Sequence, residues 1–117
     1  MIKIEAIVRP ERVNLVVDAL ADAGCAGYHL FNIHGAGRQG GVEVFTGRGA
    51  GTATRSALPK TLITIVVSDA KKDSVIEAII SSARTGEEGA IGDGKIFITE
   101  IADAIRVRTG ERGEDAL

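Results

Sequence analysis

The sequence predicts an α+β domain of the split βαβ, ferredoxin-like type, in which four strands form one sheet and two helices cover one of its faces. Two observations predict this fold. The chain contains two similar halves, and each half has a strand-like run, an amphipathic stretch and a second strand-like run. In addition, its 117 residues, 44% of them hydrophobic, are enough to build the core of a single domain covering residues 1–117.

The first half of the chain predicts a strand, a helix and a strand. Residues 3–8, KIEAIV, are rich in β-branched side chains, and Pro10 suits the first turn of a helix. Apolar residues then recur at helical spacing up to Gly24, a residue type common at helix ends. Residues 28–34, YHLFNIH, predict the second strand, which ends in the glycines of residues 35–41.

The second half repeats this order. Residues 61–67, TLITIVV, predict a strand, and Ser68 and Asp69 are residue types that cap the helix predicted to follow. That helix ends near Gly86, and residues 95–99, KIFIT, predict the last strand. Because both helices would cover the same face, the other face of the sheet would lie open, so we expect a homo-oligomer.

Composition and spacing exclude several functional classes. A net charge of −2 and an aromatic content of 3% give little to attract or stack nucleic acid. No apolar run approaches the length of a membrane span, so we expect no direct membrane insertion, and a lone cysteine, Cys25, fits the reducing cytoplasm. His29 and His34 would face opposite sides of a strand, so we expect no metal site from them. Nor does any residue spacing indicate a catalytic site.

Two glycine-rich segments interrupt the regular pattern. Residues 37–57 predict a long mobile loop of a kind that compact domains rarely carry without a use, and residues 85–95, TGEEGAIGDGK, predict a binding loop. Glycines such as Gly92 and Gly94 allow backbone N–H groups to approach phosphate oxygens, and Lys95 adds a positive charge. A glycine-rich turn next to a surface lysine is the alternative interpretation.

Two polar pairs are further candidates for anion binding. Arg106 and Arg108 alternate, so on an extended segment both guanidinium groups would lie on one face and could grip a polyphosphate. The alternative is a charged strand edge that discourages aggregation. Arg38 and Gln39 lie between glycines, where they are either loop residues without a function or ligands for an anion and a metal ion.

Three segments in this order, GAGRQGG at 35–41, GDGKIFI at 92–98 and IRVRTGE at 105–111, make the chain resemble the PII nitrogen-regulatory signalling family. The resemblance extends over nearly the whole chain. It implies a compact homotrimer with nucleotide sites in the clefts between subunits. It also implies a cytoplasmic signalling protein, not an enzyme.

The resemblance assigns ATP or ADP and an effector to particular residues. Residues 85–95 would hold the phosphates, and the C-terminal arginine segment, residues 105–117, would reach them from a neighbouring subunit. Gln39 would hold Mg²⁺ and 2-oxoglutarate beside ATP, and Lys60 would contact the 2-oxoglutarate carboxylate. The complete set implied for the nucleotide is Gly37, Arg38, Gln39, Thr64, Arg84, Thr85, Gly92, Asp93, Gly94, Lys95, Arg106 and Arg108.

The resemblance also implies a partner for the long loop. Arg48 stands about where members that block ammonium channels carry the arginine that enters the pore. We therefore expect a membrane transporter, an ammonium channel or another, to bind residues 37–57. A solvated loop arginine is the alternative interpretation of Arg48.

Three features depart from the family pattern. The only tyrosine is Tyr28, so residues 37–57 offer no acceptor for the uridylylation known in many members, and Thr64 stands where an acidic residue is usual near the adenine. Residues 87–91 lengthen the phosphate loop and add two carboxylates. An alternative is therefore a divergent PII-like adenine-nucleotide sensor, with another effector or none, that controls a different transporter or enzyme. A small nucleotide hydrolase built around Lys95 and a plain oligomeric interaction domain are the alternatives from other classes.

Overall fold

The computed structural model describes residues 1–25, 27–37, 42–45, 52–55 and 57–117, of which 42–45 and 52–55 are described as backbone only. Within these ranges the strands are β1 (Ile2–Val8), β2 (His29–Gly35), β3 (Val42–Phe45), β4 (Thr52–Arg55), β5 (Leu58–Val67) and β6 (Gly94–Glu100). The α-helices are α1 (Val13–Asp22) and α2 (Lys72–Ala83). Short 3-10 helices span Pro10–Arg12, Asp69–Lys71 and Gly113–Ala116.

The main sheet has four strands in the order β2-β5-β1-β6, and every neighbouring pair is antiparallel. Helix α1 connects β1 to β2, and α2 connects β5 to β6. In each of these units a strand of the other unit lies between the two connected strands. This interleaving is the split βαβ arrangement, so the predicted ferredoxin-like fold is confirmed.

The core lies between the sheet and the two helices. Along β1 every second residue is buried, because alternate side chains of a strand point to opposite faces and one face packs against the helices. Burial of each such aliphatic side chain contributes about 1.5–3 kcal/mol, so this layer holds both helices against the sheet. Its most buried members are Ile4, Ala6, Val8, Val16, Leu20, Ile63, Val75 and Ile79.

The opposite face of the sheet is open to solvent in a single chain. Phe31 on β2 and Phe97 on β6 are 56% and 49% exposed, although both are large and apolar. Leu62 on β5 starts from the same face beside Phe31, since it pairs with both Phe31 and Ile7. This confirms that one face lacks cover, while the homotrimer itself stays a prediction.

Several boundaries differ from those that the sequence predicts. Strand β5 begins at Leu58, ahead of the apolar run at 61–67, because it continues the pairing with β2 as far as Gly35. Within residues 37–57, β3 and β4 pair as an antiparallel two-stranded ribbon that the sequence analysis did not predict. Strand β3 contains two valines and β4 two threonines, both residue types that favour extended backbone.

The described part of the chain has neither a membrane-crossing helix nor a metal cluster. No helix in it combines the length and the apolar character needed to cross a bilayer. No group of three or more His, Cys, Asp or Glu in it could hold a metal ion. On β2, His29 pairs with Thr64 and His34 pairs with Pro59, so the two imidazoles start from opposite faces of the sheet. Cys25 is a buried free thiol.

Gly94, the first residue of β6, is a position that requires glycine. Its φ is +129°, and a Cβ built there would lie 1.8 Å from the carbonyl oxygen of Ile7. We predict that Gly94→Ala lowers the free energy of unfolding by about 2–4 kcal/mol, because strand β1 or β6 must shift. Urea unfolding at one protein concentration measures the change. Gly27→Ala is the matched control, since a Cβ at Gly27 meets no atom within 4 Å, and an equal loss in both variants would contradict the prediction.

Candidate functional site

A cleft of about 670 Å³ lies where β6 begins. Residues 90–95 line one side, residues 33–37 at the end of β2 line the other, and Lys60 and Phe97 contribute from the open face of the sheet. A volume of this size is within the range of small-molecule sites. Of the lining residues, Lys60 and Lys95 place two ammonium groups around one space, which favours an anionic ligand.

Asp93 organises the loop on one side of the cleft. Its Oδ1 accepts a hydrogen bond from the Thr85 hydroxyl at 2.6 Å, and its Oδ2 accepts from the backbone N–H groups of Thr85 at 2.9 Å and Ala90 at 2.8 Å. Arg9, directly after β1, donates from Nε to Oδ1 at 3.0 Å, and both side chains of this ion pair are 18% exposed. One carboxylate therefore ties the loop to itself and to the end of β1.

Cationic side chains also hold the carbonyl groups of this loop. Arg9 donates from Nη2 to the Ile91 carbonyl at 2.9 Å, and the Lys60 ammonium donates to the Gly92 carbonyl at 2.6 Å. The Arg12 guanidinium donates to the carbonyl of Arg84 at the start of the loop. These contacts come from β5 and from the connection between β1 and α1, so the loop is attached to both elements.

The backbone of Gly92 is shaped for close approach. Its φ is +100°, a conformation that other residues rarely adopt. Among the described residues, its N–H group has no hydrogen-bond acceptor. An unpaired backbone N–H beside Lys95 is a donor that a phosphate or carboxylate oxygen can use.

The network sets the ionisation of two cleft residues. Partial burial acts to raise the pKa of the Asp93 carboxyl, but the hydrogen bonds from Thr85, Ala90 and Arg9 outweigh burial and hold the pKa well below its usual range. Burial lowers the pKa of the Lys60 ammonium, and the charge of Arg9 lowers it further. Asp93 is therefore ionised throughout the neutral range, as its ion pair with Arg9 requires.

The structure brings together only part of the residue set predicted for the site. Gly37, Lys60 and residues 92–95 line the cleft, and Thr85 contacts it through Asp93. Arg84 lines a neighbouring cavity of about 300 Å³. Thr64 does not line the cleft and lies further along the open face, paired with Glu5 and His29. The predicted roles of Arg38, Gln39 and Arg48 fall on residues outside those that the structure describes.

The C-terminal arginine segment differs from the geometry that its alternation predicts. Residues 107–109 form a turn, closed by a hydrogen bond of 2.8 Å from the Gly110 N–H to the Arg106 carbonyl, so the segment is not extended. Gly110 allows this turn because its φ is +73°. The Arg106 guanidinium lies 2.6 Å from Glu111, and neither Arg106 nor Arg108 lines the cleft of its own chain. The prediction that both guanidinium groups share one face of an extended strand is therefore wrong.

Arg9 and Arg12 are site residues that the sequence patterns do not predict. Only their positions in the sequence could have indicated the contact between Arg9 and Asp93, since Arg9 follows β1 and Asp93 precedes β6. Antiparallel pairing of Val8 with Gly94 brings these two residues side by side. Without the register, the attraction between two groups 84 positions apart in the chain could not be recognised.

Asp93 makes the stability of the protein depend on pH in a defined direction. Because its folded-state pKa is depressed, its contribution is complete above the unfolded value of about 3.9 and is lost as the pH falls toward the folded-state value. We predict that Asp93→Asn costs about 1–2 kcal/mol of unfolding free energy at pH 7 and that this difference shrinks as the pH falls below about 4. Urea unfolding at pH 7 and pH 3 measures it.

Asp18→Asn is the control for this prediction, since Asp18 is exposed on α1. The control should match the wild type at pH 7 and at pH 3. A difference between the wild type and Asp93→Asn that grows toward low pH would contradict the assignment.

Comparison with known proteins gives the same relationship by sequence and by structure. The family model described as "Nitrogen regulatory protein P-II" matches residues 1–111. Nitrogen regulatory protein P-II 2 of Methanothermobacter thermautotrophicus is 46% identical over 118 aligned residues, which cover 100% of this chain and 97% of that protein. Nitrogen regulatory protein P-II of Rhodobacter capsulatus is also 46% identical, and the alignment covers 100% of both proteins.

A solved structure has the same architecture. The crystal structure of Arabidopsis thaliana PII bound to citrate superimposes with a TM-score of 0.78 at 41% identity, covering 99% of this chain and 91% of that chain. An identity of this level over the full length, together with the same fold, establishes common ancestry. The chain therefore belongs to the nitrogen regulatory protein P-II family.

Proposed function

We propose that the chain is a trimeric P-II signalling protein of the cytoplasm, not an enzyme, that binds ATP or ADP in clefts between subunits. It binds 2-oxoglutarate together with Mg-ATP, and residues 37–57 respond by regulating a partner. That partner is a membrane transporter such as an ammonium channel. The observation that carries the proposal is a glycine-rich loop, held in place by Asp93 and Arg9, that borders a cationic cleft of ligand size.

The cleft supports a polyphosphate ligand on electrostatic grounds. Lys95 follows Gly94 at the rim, and Lys60 contributes a second ammonium group. Among the lining residues that the structure describes, the one carboxylate, Asp93, is neutralised by Arg9. Phosphate oxygens entering this cleft therefore meet net positive charge and the backbone N–H of Gly92.

A second copy of the chain supports the proposal in two ways. It would cover the open sheet face, where Phe31 and Phe97 are exposed. It would also bring Arg106 and Arg108 to the cleft, since these two arginines lie on the C-terminal turn and do not line the cleft of their own chain. Three copies arranged about one axis satisfy both requirements with one repeated interface.

The described residues fit a carboxylate effector but do not include a set of Mg²⁺ ligands. Lys60 reaches the cleft and gives a carboxylate a cationic partner. Asp93 has its oxygens committed to four hydrogen bonds, and Gln39 lies outside the described residues. Gln39 would hold Mg²⁺, and the ion would supply the positive charge that an anionic keto acid needs beside the nucleotide phosphates.

Lys95 is the direct test of nucleotide binding at this cleft. We predict that Lys95→Ala weakens ADP binding about 10- to 100-fold, because a phosphate loses a charge-assisted hydrogen bond in a partly enclosed site. Calorimetric titration of the purified protein with ADP measures the change. Lys72→Ala is the matched control, since Lys72 begins α2 at the opposite end of the sheet. Equal ADP affinity in the wild type and in Lys95→Ala would place the nucleotide elsewhere.

Gln39 tests the effector half of the proposal. We predict that Gln39→Ala abolishes binding of 2-oxoglutarate in the presence of Mg-ATP and changes ADP affinity less than about threefold, because Mg²⁺ and the keto acid depend on this side chain, whereas ADP keeps its other contacts. Titration of 2-oxoglutarate with and without Mg-ATP measures both arms. Undiminished keto-acid binding by the variant contradicts the assignment.

A second candidate function is a divergent PII-like sensor of adenine nucleotides without a 2-oxoglutarate response. Thr64 favours this second function, because a threonine at that position of the open face supplies no carboxylate for the adenine. Glu87 and Glu88, exposed in the lengthened loop, also favour it, because they add negative charge near the cleft. Wild-type protein that binds ADP or AMP but shows no coupling between 2-oxoglutarate and Mg-ATP would establish this second function.

A further inference from the structure

We propose that Asp93 is a positioning residue that never contacts the ligand: it fixes residues 90–95 for phosphate binding and holds the acidic turn, residues 86–89, outside the cleft. The proposal rests on the proposed function, since it concerns the same nucleotide site. It reassigns Asp93, which the sequence analysis places among the nucleotide contacts. It also explains how a loop that carries two extra carboxylates can border a phosphate site.

The hydrogen-bonding capacity of Asp93 is used up inside the protein. An ionised carboxylate has about four lone-pair positions, two on each oxygen. Oδ1 accepts from Arg9 and from the Thr85 hydroxyl, while Oδ2 accepts from the N–H groups of Thr85 and Ala90. No position is left for Mg²⁺, a ribose hydroxyl or a bound water. Asp93 can contribute to ligand binding only by holding other groups in place.

Two of these four bonds close the acidic turn at its base. The N–H groups of Thr85 and Ala90 donate to one oxygen atom, at 2.9 and 2.8 Å, so the residues on either side of the turn are held close together. Gly86 and Gly89, with φ values of +66° and +77°, supply the backbone conformations that reverse the chain between them. Residues 86–89 therefore leave the loop and return to it at neighbouring points.

The boundary of the cleft agrees with this division. Residues 90–95 line the cleft, whereas residues 86–89 do not. Glu87 and Glu88 are exposed, so water and salt screen their charges. If the base of the turn opened, these carboxylates would gain access to the space that the phosphates occupy, and like charges would oppose binding. Asp93 thus separates acidic residues from the anion site that follows them in the chain.

Arg9 completes the arrangement because it holds Asp93 from the side of the sheet. Its guanidinium donates both to Asp93 and to the Ile91 carbonyl, at 3.0 and 2.9 Å. The loop is thereby attached to the end of β1, whose core residues are buried. The position of Asp93 is set by the sheet, not by the loop alone.

The test combines removal of the anchor with removal of the acidic charges. Calorimetric titration with ADP compares the wild type, the double variant Glu87→Gln/Glu88→Gln, Asp93→Asn, and the triple variant. We expect Asp93→Asn to weaken ADP binding at least about 10-fold, because a displaced loop loses its preorganised geometry. The double variant should change affinity less than about twofold in the wild-type background and strengthen it at least about threefold in the Asp93→Asn background.

Two outcomes of the titrations overturn the proposal. One is an ADP affinity that is unchanged in Asp93→Asn. The other is an equal gain in ADP affinity from the glutamine substitutions in both backgrounds, which would show that Asp93 does not hold the acidic turn outside the cleft. Thr85→Val keeps the test valid if Asp93→Asn misfolds, because this variant removes only the hydrogen bond from the Thr85 hydroxyl to Asp93. We expect Thr85→Val to lose ADP affinity in the same direction as Asp93→Asn but by a smaller factor. Asp73→Asn is the control for removing a negative charge, since Asp73 is exposed on α2.

Amide hydrogen exchange without ligand separates this proposal from the proposed function. We expect the N–H groups of Thr85 and Ala90 to exchange slowly in the wild type and at least about 10-fold faster in Asp93→Asn. Unchanged exchange rates would overturn the role of Asp93 in closing the turn. If the wild type binds no adenine nucleotide, the proposed function fails, and the exchange rates still decide whether Asp93 holds the turn.

Discussion

The ion pair between Arg9 and Asp93 is the interaction on which the candidate site depends. It joins the first residue after β1 to the last residue before β6, and the antiparallel pairing of Val8 with Gly94 brings the two residues together. The remaining hydrogen bonds of Asp93 then fix the loop that precedes β6. The pairing of β1 with β6 thereby fixes the conformation of the loop at the rim of the cleft.

One face of the sheet forms the core, and the other face borders the candidate site. The face that packs against α1 and α2 holds the buried aliphatic residues, so it fixes the positions of the strand ends. The open face carries Lys60 and Phe97, which line the cleft, together with exposed apolar side chains. The ligands and subunits proposed to bind the open face would therefore leave the core on the other face undisturbed.

The sequence predicts the fold well, since both βαβ units show the periodicity of their buried faces directly. It predicts Gly92 and Lys95 as cleft residues because glycine and lysine in that order have chemical consequences of their own, and it predicts Lys60 only through the resemblance to the PII family. It does not predict Arg9, whose role depends on a register between distant strands. It also gives the wrong geometry for Arg106 and Arg108, because the φ of +73° at Gly110 permits a turn where alternation favours a strand. Local sequence patterns thus predict which face of a helix or strand is buried and which residue types a loop carries. Contacts between segments that are distant in the chain can be identified only from the structure.

A crystal structure of the protein with ADP tests the central claim most directly. The account predicts phosphate oxygens at the backbone of Gly92 and at Lys95, with Arg106 or Arg108 of a neighbouring subunit on the same phosphates. It also predicts that Asp93 keeps its bonds to Arg9, Thr85 and Ala90 in the complex. ADP bound away from residues 92–95, or an Asp93 carboxylate turned toward the nucleotide, would contradict the account.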